Sequence, residues 1–139
     1  MSYDLLVFDA KVAPLLRDEF LEWYDVETEW EDEEGYDDPQ RCTPELRAWF
    51  LEMIQKYPAM NGPLAPEDIP EDDSVVSDYS LGRHAIYIAF SWSKAEQAFE
   101  DTKAMAAKHG VGFFNVSSDT SDVWMPDSQG GLQLAHQDE

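Results

Sequence analysis

Residues 18–38 hold twelve aspartates and glutamates among twenty-one positions, and no lysine or arginine. A run of like charge this dense resists folding, because self-repulsion opposes compaction. Four large aromatic residues nevertheless lie within it, Trp23, Tyr24, Trp30 and Tyr36, and they supply enough apolar surface to join a core. We therefore expect this segment to fold, with its aromatic rings buried in the core and its carboxylates exposed as an acidic face.

The net charge of the whole chain limits the classes of molecule that it can bind. Thirty acidic residues against nine basic ones give a formal net charge of −21. Such a surface repels nucleic acid, anionic lipid and phosphorylated substrates, so the partner it suits is basic and most simply another protein. Charge kept only for solubility is the plainer alternative. In either case self-repulsion costs stability, and we expect stability to rise with ionic strength.

Size and cysteine content limit the class of protein. The 139 residues are 43% hydrophobic, enough for a single domain with one core. Cys42 is the single cysteine, which excludes an intrachain disulfide and a cysteine-based metal site and fits a reducing compartment. The amino terminus does not resemble a signal peptide, and no stretch approaches the ~20 apolar residues of a membrane span. A cytoplasmic protein without membrane contact is the expectation.

The first half of the chain predicts one strand and two helices. The short apolar run at residues 5–8 is typical of a buried strand. Pro14 suits the first turn of a helix, whose core-facing side is predicted from helical spacing to hold Leu16, Phe20, Trp23, Val26 and Trp30. An acidic loop should begin after Trp30. Thr43 and Pro44 predict the start of a second helix, whose apolar face extends to Tyr57. Residues 58–73 then hold four prolines and a glycine, and predict a long loop.

The second half predicts a hairpin, a helix and two more strands. Residues 75–81 and 84–92 are strand patterns joined by Gly82 and Arg83. Residues 93–96 match a capping box, and the helix that follows should stop at His109 and Gly110. Residues 111–117 and 123–125 favour strands.

This order, β-α-α-β-β-α-β-β, predicts a single α+β domain over residues 1–125. Its sheet should be mixed or antiparallel, with four to five strands, and about three helices should pack on a face of it. Residues 126–139 are polar, contain Gly130 and Gly131, and are expected to form a loose tail.

Sequence motifs for catalysis, metals and cofactors are lacking. His84 could pair with Asp78 across the hairpin, but a structural role is the commoner one for such a histidine. Residues 30–41 place a glycine sixth, as a calcium loop does, yet Trp30 and Arg41 occupy the first and twelfth ligand positions. The glycines form no phosphate-binding loop, and no serine lies in a Gly-x-Ser-x-Gly setting. We expect no catalytic residue, no metal site and no cofactor.

Aromatic residues rimmed by carboxylates are the usual composition of a protein contact surface. Trp23 is expected in the core, whereas core and contact are equally open for Trp30 and Tyr36. The predicted partner-binding residues are Glu27, Glu29, Trp30, Glu31, Asp32, Glu33, Glu34, Tyr36, Asp37 and Asp38. A second contact region is predicted in the long loop, at Glu67, Asp68, Glu71, Asp72 and Asp73.

Six short motifs resemble those of a protein family. They are YDLLVF at residues 3–8, TEW at 28–30, YDDP at 36–39, LRAWFLEM at 46–53, PAMNGPL at 58–64 and KHGVGFF at 108–114. Together they resemble a family of small acidic bacterial proteins, over residues 3 to about 126. Its members resemble immunity proteins of polymorphic toxin or type VI secretion systems, which bind and silence a cognate toxin in the cell that makes it. The resemblance implies a cytosolic inhibitor and identifies neither the toxin nor any catalytic residue.

Two other functions stay open at this point. One is a small ligand-binding or enzymatic domain, with a pocket formed by the long loop around Tyr79, Tyr87 and His84. The other is a DNA mimic that inhibits a nucleic-acid-binding protein, since carboxylates spaced along a surface can imitate phosphates. Both would use the same fold, and the mimic would share the acidic face.

Overall fold

A six-stranded antiparallel sheet with helices on both faces forms the described part of this computed structural model, which covers residues 2–14, 16–28, 39–60, 65, 75–117, 121–127 and 130–136. The strands are β1 Ser2–Phe8, β2 Asp78–Leu81, β3 Ala85–Ser91, β4 Gly112–Phe114, β5 Val123–Pro126 and β6 Leu132–His136. The helices are α1 Arg17–Glu27, α2 Pro44–Met53 and α3 Ala95–His109, and short 3₁₀ turns lie at Pro39–Arg41 and Trp92–Lys94.

The amino-terminal strand lies in the middle of the sheet, whose order is β2-β3-β1-β4-β5-β6. β1 pairs with β3 on one side, where Leu5 faces Ile88, and with β4 on the other, where Leu6 faces Phe114. Because β3 and β4 are separated by β1 and joined through α3, the three strands form a split β-α-β unit. An apolar strand such as β1 suits this central position, since it is covered on both faces.

Alternation along β1 divides the apolar side chains between two cores. Leu5 and Val7 face the side on which α2 and α3 pack, and Leu6 and Phe8 face the side on which α1 packs. A Cβ atom on Gly112, beside Phe8, would overlap the Phe8 ring, so only glycine fits there. The sequence predicted helices on a single face, and the reason for the difference is that both faces of the sheet are apolar.

The predicted α+β class is confirmed, but the sheet has six strands instead of four to five. The additional strand, β6, lies within residues 126–139, where the sequence predicted a loose tail. Gly130 adopts a φ of 82° in the turn between β5 and β6, and the amide of Gly131 donates a 2.9 Å hydrogen bond to Oδ1 of Asp127. The glycine pair therefore makes a hairpin turn, and Leu132 beyond it packs against the core.

The helix boundaries differ from prediction at both ends, and α2 ends at Met53, four residues before the predicted Tyr57. α1 begins at Arg17, after Pro14, and leaves Leu16 exposed. The predicted capping box at residues 93–96 is absent, since the 3₁₀ turn Trp92–Lys94 precedes α3 and no side chain caps its first turn. Gly110 ends α3 as predicted, in the left-handed conformation with φ of 69°.

Candidate interaction surface

α1 is fixed to the sheet by three aromatic side chains. The ring of Phe20 is fully buried, with centroid distances of 5.2 Å to Phe8 and 5.4 Å to Phe114. Trp23 lies 5.9 Å from the Phe8 ring, and Tyr24 lies 4.8 Å from the Phe114 ring. Edge-to-face contacts of this kind orient rings as well as bury them, so α1 has a fixed rotation about its axis.

That rotation turns the carboxylates of α1 towards solvent. Four of them are exposed, and we call this set the acidic helix face: Asp18, Glu19, Glu22 and Asp25. Two apolar side chains flank the set, Leu16 at 66% exposure and Val26 at 60%. Sequence periodicity had assigned Leu16 and Val26 to the core-facing side, but the core is filled by Phe20 and the residues around it. Exposed apolar groups beside charge are the composition of a protein contact surface.

The single basic residue of α1 is directed away from the acidic helix face. Arg17 donates hydrogen bonds from Nη1 to the carbonyl of Ser121, at 3.2 Å, and to Nδ1 of His136, at 2.9 Å. Burial and then the neighbouring guanidinium lower the pKa of His136. The imidazole is therefore neutral at physiological pH and can accept this hydrogen bond. Arg17 thus attaches the start of α1 to the β6 side of the sheet.

α1 ends close to the predicted contact residues. The hydroxyl of Thr28 donates a 2.8 Å hydrogen bond to the carbonyl of Tyr24 and closes the last turn. Glu27, the last helical residue and the first predicted contact residue, is half-buried. The rest of the predicted contact residues lie outside the described residues: Glu29, Trp30, Glu31, Asp32, Glu33, Glu34, Tyr36, Asp37, Asp38, Glu67, Asp68, Glu71, Asp72 and Asp73. For these residues the contact assignment stays a prediction.

A polar cluster beside α1 escaped sequence reasoning. The hydroxyl of Tyr87 donates to Oδ2 of Asp4, and the amide of Asp4 donates to Oγ of Ser117 at 2.8 Å. Burial, then the charges of Asp25 and Asp4, raise the pKa of Tyr24 to about 12. Tyr24 therefore stays a neutral phenol at physiological pH. Strand alternation in β1 places Asp4 on the same face as Leu6 and Phe8. This alternation is the sequence signal from which a polar group beside α1 could have been predicted.

The residues proposed for a pocket near His84 do not come together. Nδ1 of His84 lies 3.8 Å from Oδ2 of Asp9. The carboxylate beside His84 is therefore that of Asp9 and not that of Asp78, which the sequence suggested. Tyr79 is buried under α2, and its hydroxyl donates a 2.8 Å hydrogen bond to the carbonyl of Tyr57. Tyr87 lies on the opposite face of the sheet, beside α1. His84, Tyr79 and Tyr87 therefore line no common site.

An open groove of about 470 Å³ lies at the amino end of α2, lined by Gln40, Arg41, Cys42, Thr43, Pro44 and Arg83. Arg47 shapes it from beneath, because its guanidinium donates to the carbonyls of Pro39, Gln40 and Cys42. Its two arginines could attract an anion, but the lining brings no general base next to a nucleophile. This groove does not resemble a catalytic site.

Neither the described residues nor comparison with other proteins assigns an activity. In the described ranges, no group of three or more His, Cys, Asp or Glu side chains could hold a metal ion. No helix in that part of the chain is long and apolar enough to cross a membrane. Comparison with protein-family models, with curated proteins and with solved structures found no match.

Proposed function

We propose that this chain is a cytosolic immunity-type protein, which binds a cognate basic bacterial toxin and neutralises it by masking its active site or a functional surface. The observation that carries the proposal is the acidic helix face, held outward by the buried rings of α1. The resemblance to immunity proteins of polymorphic toxin or type VI secretion systems supports the same function.

Rigidity makes the acidic helix face more effective than a flexible acidic segment would be. Asp18, Glu22 and Asp25 lie on successive turns of α1, so their spacing is set by the helix rise of about 1.5 Å per residue. A basic cleft that handles phosphates would meet a fixed row of negative charges. Because α1 is already ordered, little conformational entropy of this chain is lost on binding. A nuclease, or another enzyme with a phosphate-binding cleft, is the kind of toxin that such a row fits.

Speed of capture is the second advantage of the charge. Complementary electrostatic fields raise association rates from about 10⁵–10⁶ M⁻¹s⁻¹ to as much as 10⁸–10⁹ M⁻¹s⁻¹ at low salt. An antidote has to bind before its toxin acts, so a net charge of −21 serves the function despite its cost in stability. Leu16 and Val26 would then exclude water at the two ends of the contact.

The direct test is identification of the partner followed by a protection assay. The tagged chain is used to capture proteins from the cells that make it, and each captured protein is expressed alone and together with this chain. The proposal expects a captured basic protein that arrests growth alone and is harmless in co-expression. Capture of a harmless nucleic-acid-binding regulator, released from DNA by this chain, would instead indicate a DNA mimic.

Matched charge reversals locate the contact. Glu22→Lys with Asp25→Lys changes the acidic helix face, and Glu96→Lys with Glu100→Lys changes exposed positions of α3 on the other side of the sheet. Each pair moves the formal charge from −21 to −17, because every reversal removes one negative charge and adds one positive charge. The α1 pair should slow association with the purified partner roughly tenfold or more at low salt, and the α3 pair much less. Equal effects would contradict a localised contact on α1.

A further inference from the structure

β6 is the last strand of the sheet in the part of the chain that the structure describes. It pairs with β5 on one side, and none of the strands that the structure describes pairs with its outer side. Gln133, Leu134 and Ala135 in its middle are exposed, with Leu134 at 43%. An unpaired edge presents backbone N–H and C=O groups that can hydrogen-bond to another extended strand.

The opposite edge of the sheet shows how this chain protects a strand. Immediately before β2, the amide of Ser77 donates to the carbonyl of Pro58, and the amide of Met60 donates to the carbonyl of Ser77, both at 2.9 Å. β2 itself begins with a charged residue, Asp78. Covering segments and charged side chains are the usual means of preventing strand addition. β6 carries no Asp, Glu, Lys or Arg, so it lacks the charge that β2 has.

We propose that β6 pairs antiparallel with β6 of a second copy, around a two-fold axis at Leu134. This register is self-complementary. Leu134 faces its own copy, Gln133 faces Ala135, and Leu132 faces His136, so no two like charges meet. The paired sheets form one continuous sheet of twelve strands, and the outer hydrogen-bonding groups of β6 are satisfied.

The net charge of −21 on each copy does not prevent this pairing at physiological salt. α1 packs over β1, β4 and β5, and its amino end reaches β6, where the Phe20 ring lies 5.3 Å from the His136 ring. The negative charges of the two copies therefore repel across the paired edge, and this repulsion depends on salt. The Debye length is about 8 Å at 0.15 M salt and about 30 Å at 0.01 M, so the repulsion is strongly reduced at physiological salt and extends across the paired edge at low salt.

The charges beside this edge are of both signs. Arg17 lies 2.9 Å from Nδ1 of His136 on β6, and Lys103 Nζ lies 3.6 Å from the centre of the Trp124 ring on β5. Asp122 and Asp127 flank β5, so the two basic side chains offset nearby carboxylates.

Analytical ultracentrifugation of the full chain without any partner tests the pairing. We expect a monomer–dimer equilibrium at concentrations up to about 200 µM, with the dimer at least about tenfold tighter in 0.3 M than in 0.01 M NaCl. Leu134→Lys should abolish the dimer, because it places two ammonium groups across the axis. Leu51→Lys on α2 is the matched control, since Leu51 is exposed to 42%, and it should dimerise like the wild type.

Crosslinking gives a second readout, because it traps dimers that form only transiently and reports which residues face each other. Leu134→Cys places two thiols on facing Cβ atoms about 4.5–5.5 Å apart in the proposed register, within reach of a short bismaleimide. Cys42, the native cysteine, is buried. Leu134→Cys should give a covalent dimer and Leu51→Cys should not. A wild-type monomer at about 200 µM in 0.3 M NaCl, a dimer that weakens with salt, or equal crosslinking of the two variants would overturn the proposal. None of these outcomes bears on the proposed toxin binding.

Discussion

The hydroxyl of Tyr57 donates a 2.6 Å hydrogen bond to Oδ2 of Asp101 and joins the chain beyond α2 to α3. Lys56 Nζ lies 2.8 Å from the same oxygen. Partial burial opposes ionisation of Asp101, but the hydrogen bonds from Lys56 and Tyr57 outweigh it and lower the pKa of the carboxyl. The carboxylate is therefore ionised at neutral pH and holds the two helices of this layer together.

Tyr57→Phe should lower the free energy of unfolding by about 1 kcal/mol, since it deletes this hydrogen bond to a partly exposed carboxylate and keeps the ring against Phe90. Urea unfolding followed by circular dichroism measures the loss. Lys56→Ala is the control, and its more exposed ion pair should contribute less. An unchanged urea midpoint in Tyr57→Phe would show that the hydrogen bond is not formed in solution.

Phe20→Ala should cost about 3–5 kcal/mol, because the ring is fully buried between Phe8 and Phe114 and leaves a cavity. Val26→Ala on the same helix should change stability by less than about 0.5 kcal/mol, since the side chain is exposed. Both values come from urea unfolding. Similar costs for the two variants would contradict the orientation of α1 on which the acidic helix face depends.

Stability should fall between about pH 10 and pH 12. The pKa of Tyr24 rises from 10.0 to about 12 on folding, so the folded state favours the neutral phenol. The stabilisation is complete below the unfolded value and is lost as pH rises through the folded value. Tyr24→Phe should have a flatter stability profile across this window. The difference in tyrosinate absorbance between the wild type and Tyr24→Phe isolates the titration of Tyr24, and a difference that appears near pH 10 instead of near pH 12 would contradict the burial of Tyr24.

Sodium chloride should raise the urea midpoint of the wild type, because screening relieves the self-repulsion of a chain with formal charge −21. The increase should be clearest between about 0.01 M and 0.3 M. Near pH 4.1, the sequence isoelectric point, the same salt should have little effect. A midpoint that falls with salt at neutral pH would show that ion pairs such as Lys108 with Glu52 outweigh the repulsion.

Local sequence patterns predicted the helices and strands correctly where tertiary packing favours the same structure as the local pattern. The apolar run at residues 5–8 and the Gly110 stop of α3 are found as expected, since a buried strand and a left-handed helix end have few alternatives. The assignment of Leu16 and Val26 to the core was wrong. Helical periodicity predicts which side of a helix is apolar, but the sheet determines how many residues of that side are covered.

The parts of the surface that depend on distant contacts could not be predicted. β6 was expected to be loose because it is short and polar, and its order comes from pairing with β5 and from Leu132 packing on the core. The sequence offered Asp78 as a possible partner for His84, whereas the β1–β3 pairing brings Asp9 to it. In both cases the missing information was strand order, which local sequence does not contain.

The central place of β1 sets the order in which this chain can acquire its structure. During synthesis β1 leaves the ribosome well before its two neighbours, β3 and β4, which come from the second half of the chain. β1 can pair with β3 only after residue 91 has emerged and with β4 only after residue 114, and such non-local pairing makes folding slow. A nascent chain released before β4 is complete would expose an apolar strand, so rapid and uninterrupted synthesis protects this protein from aggregation.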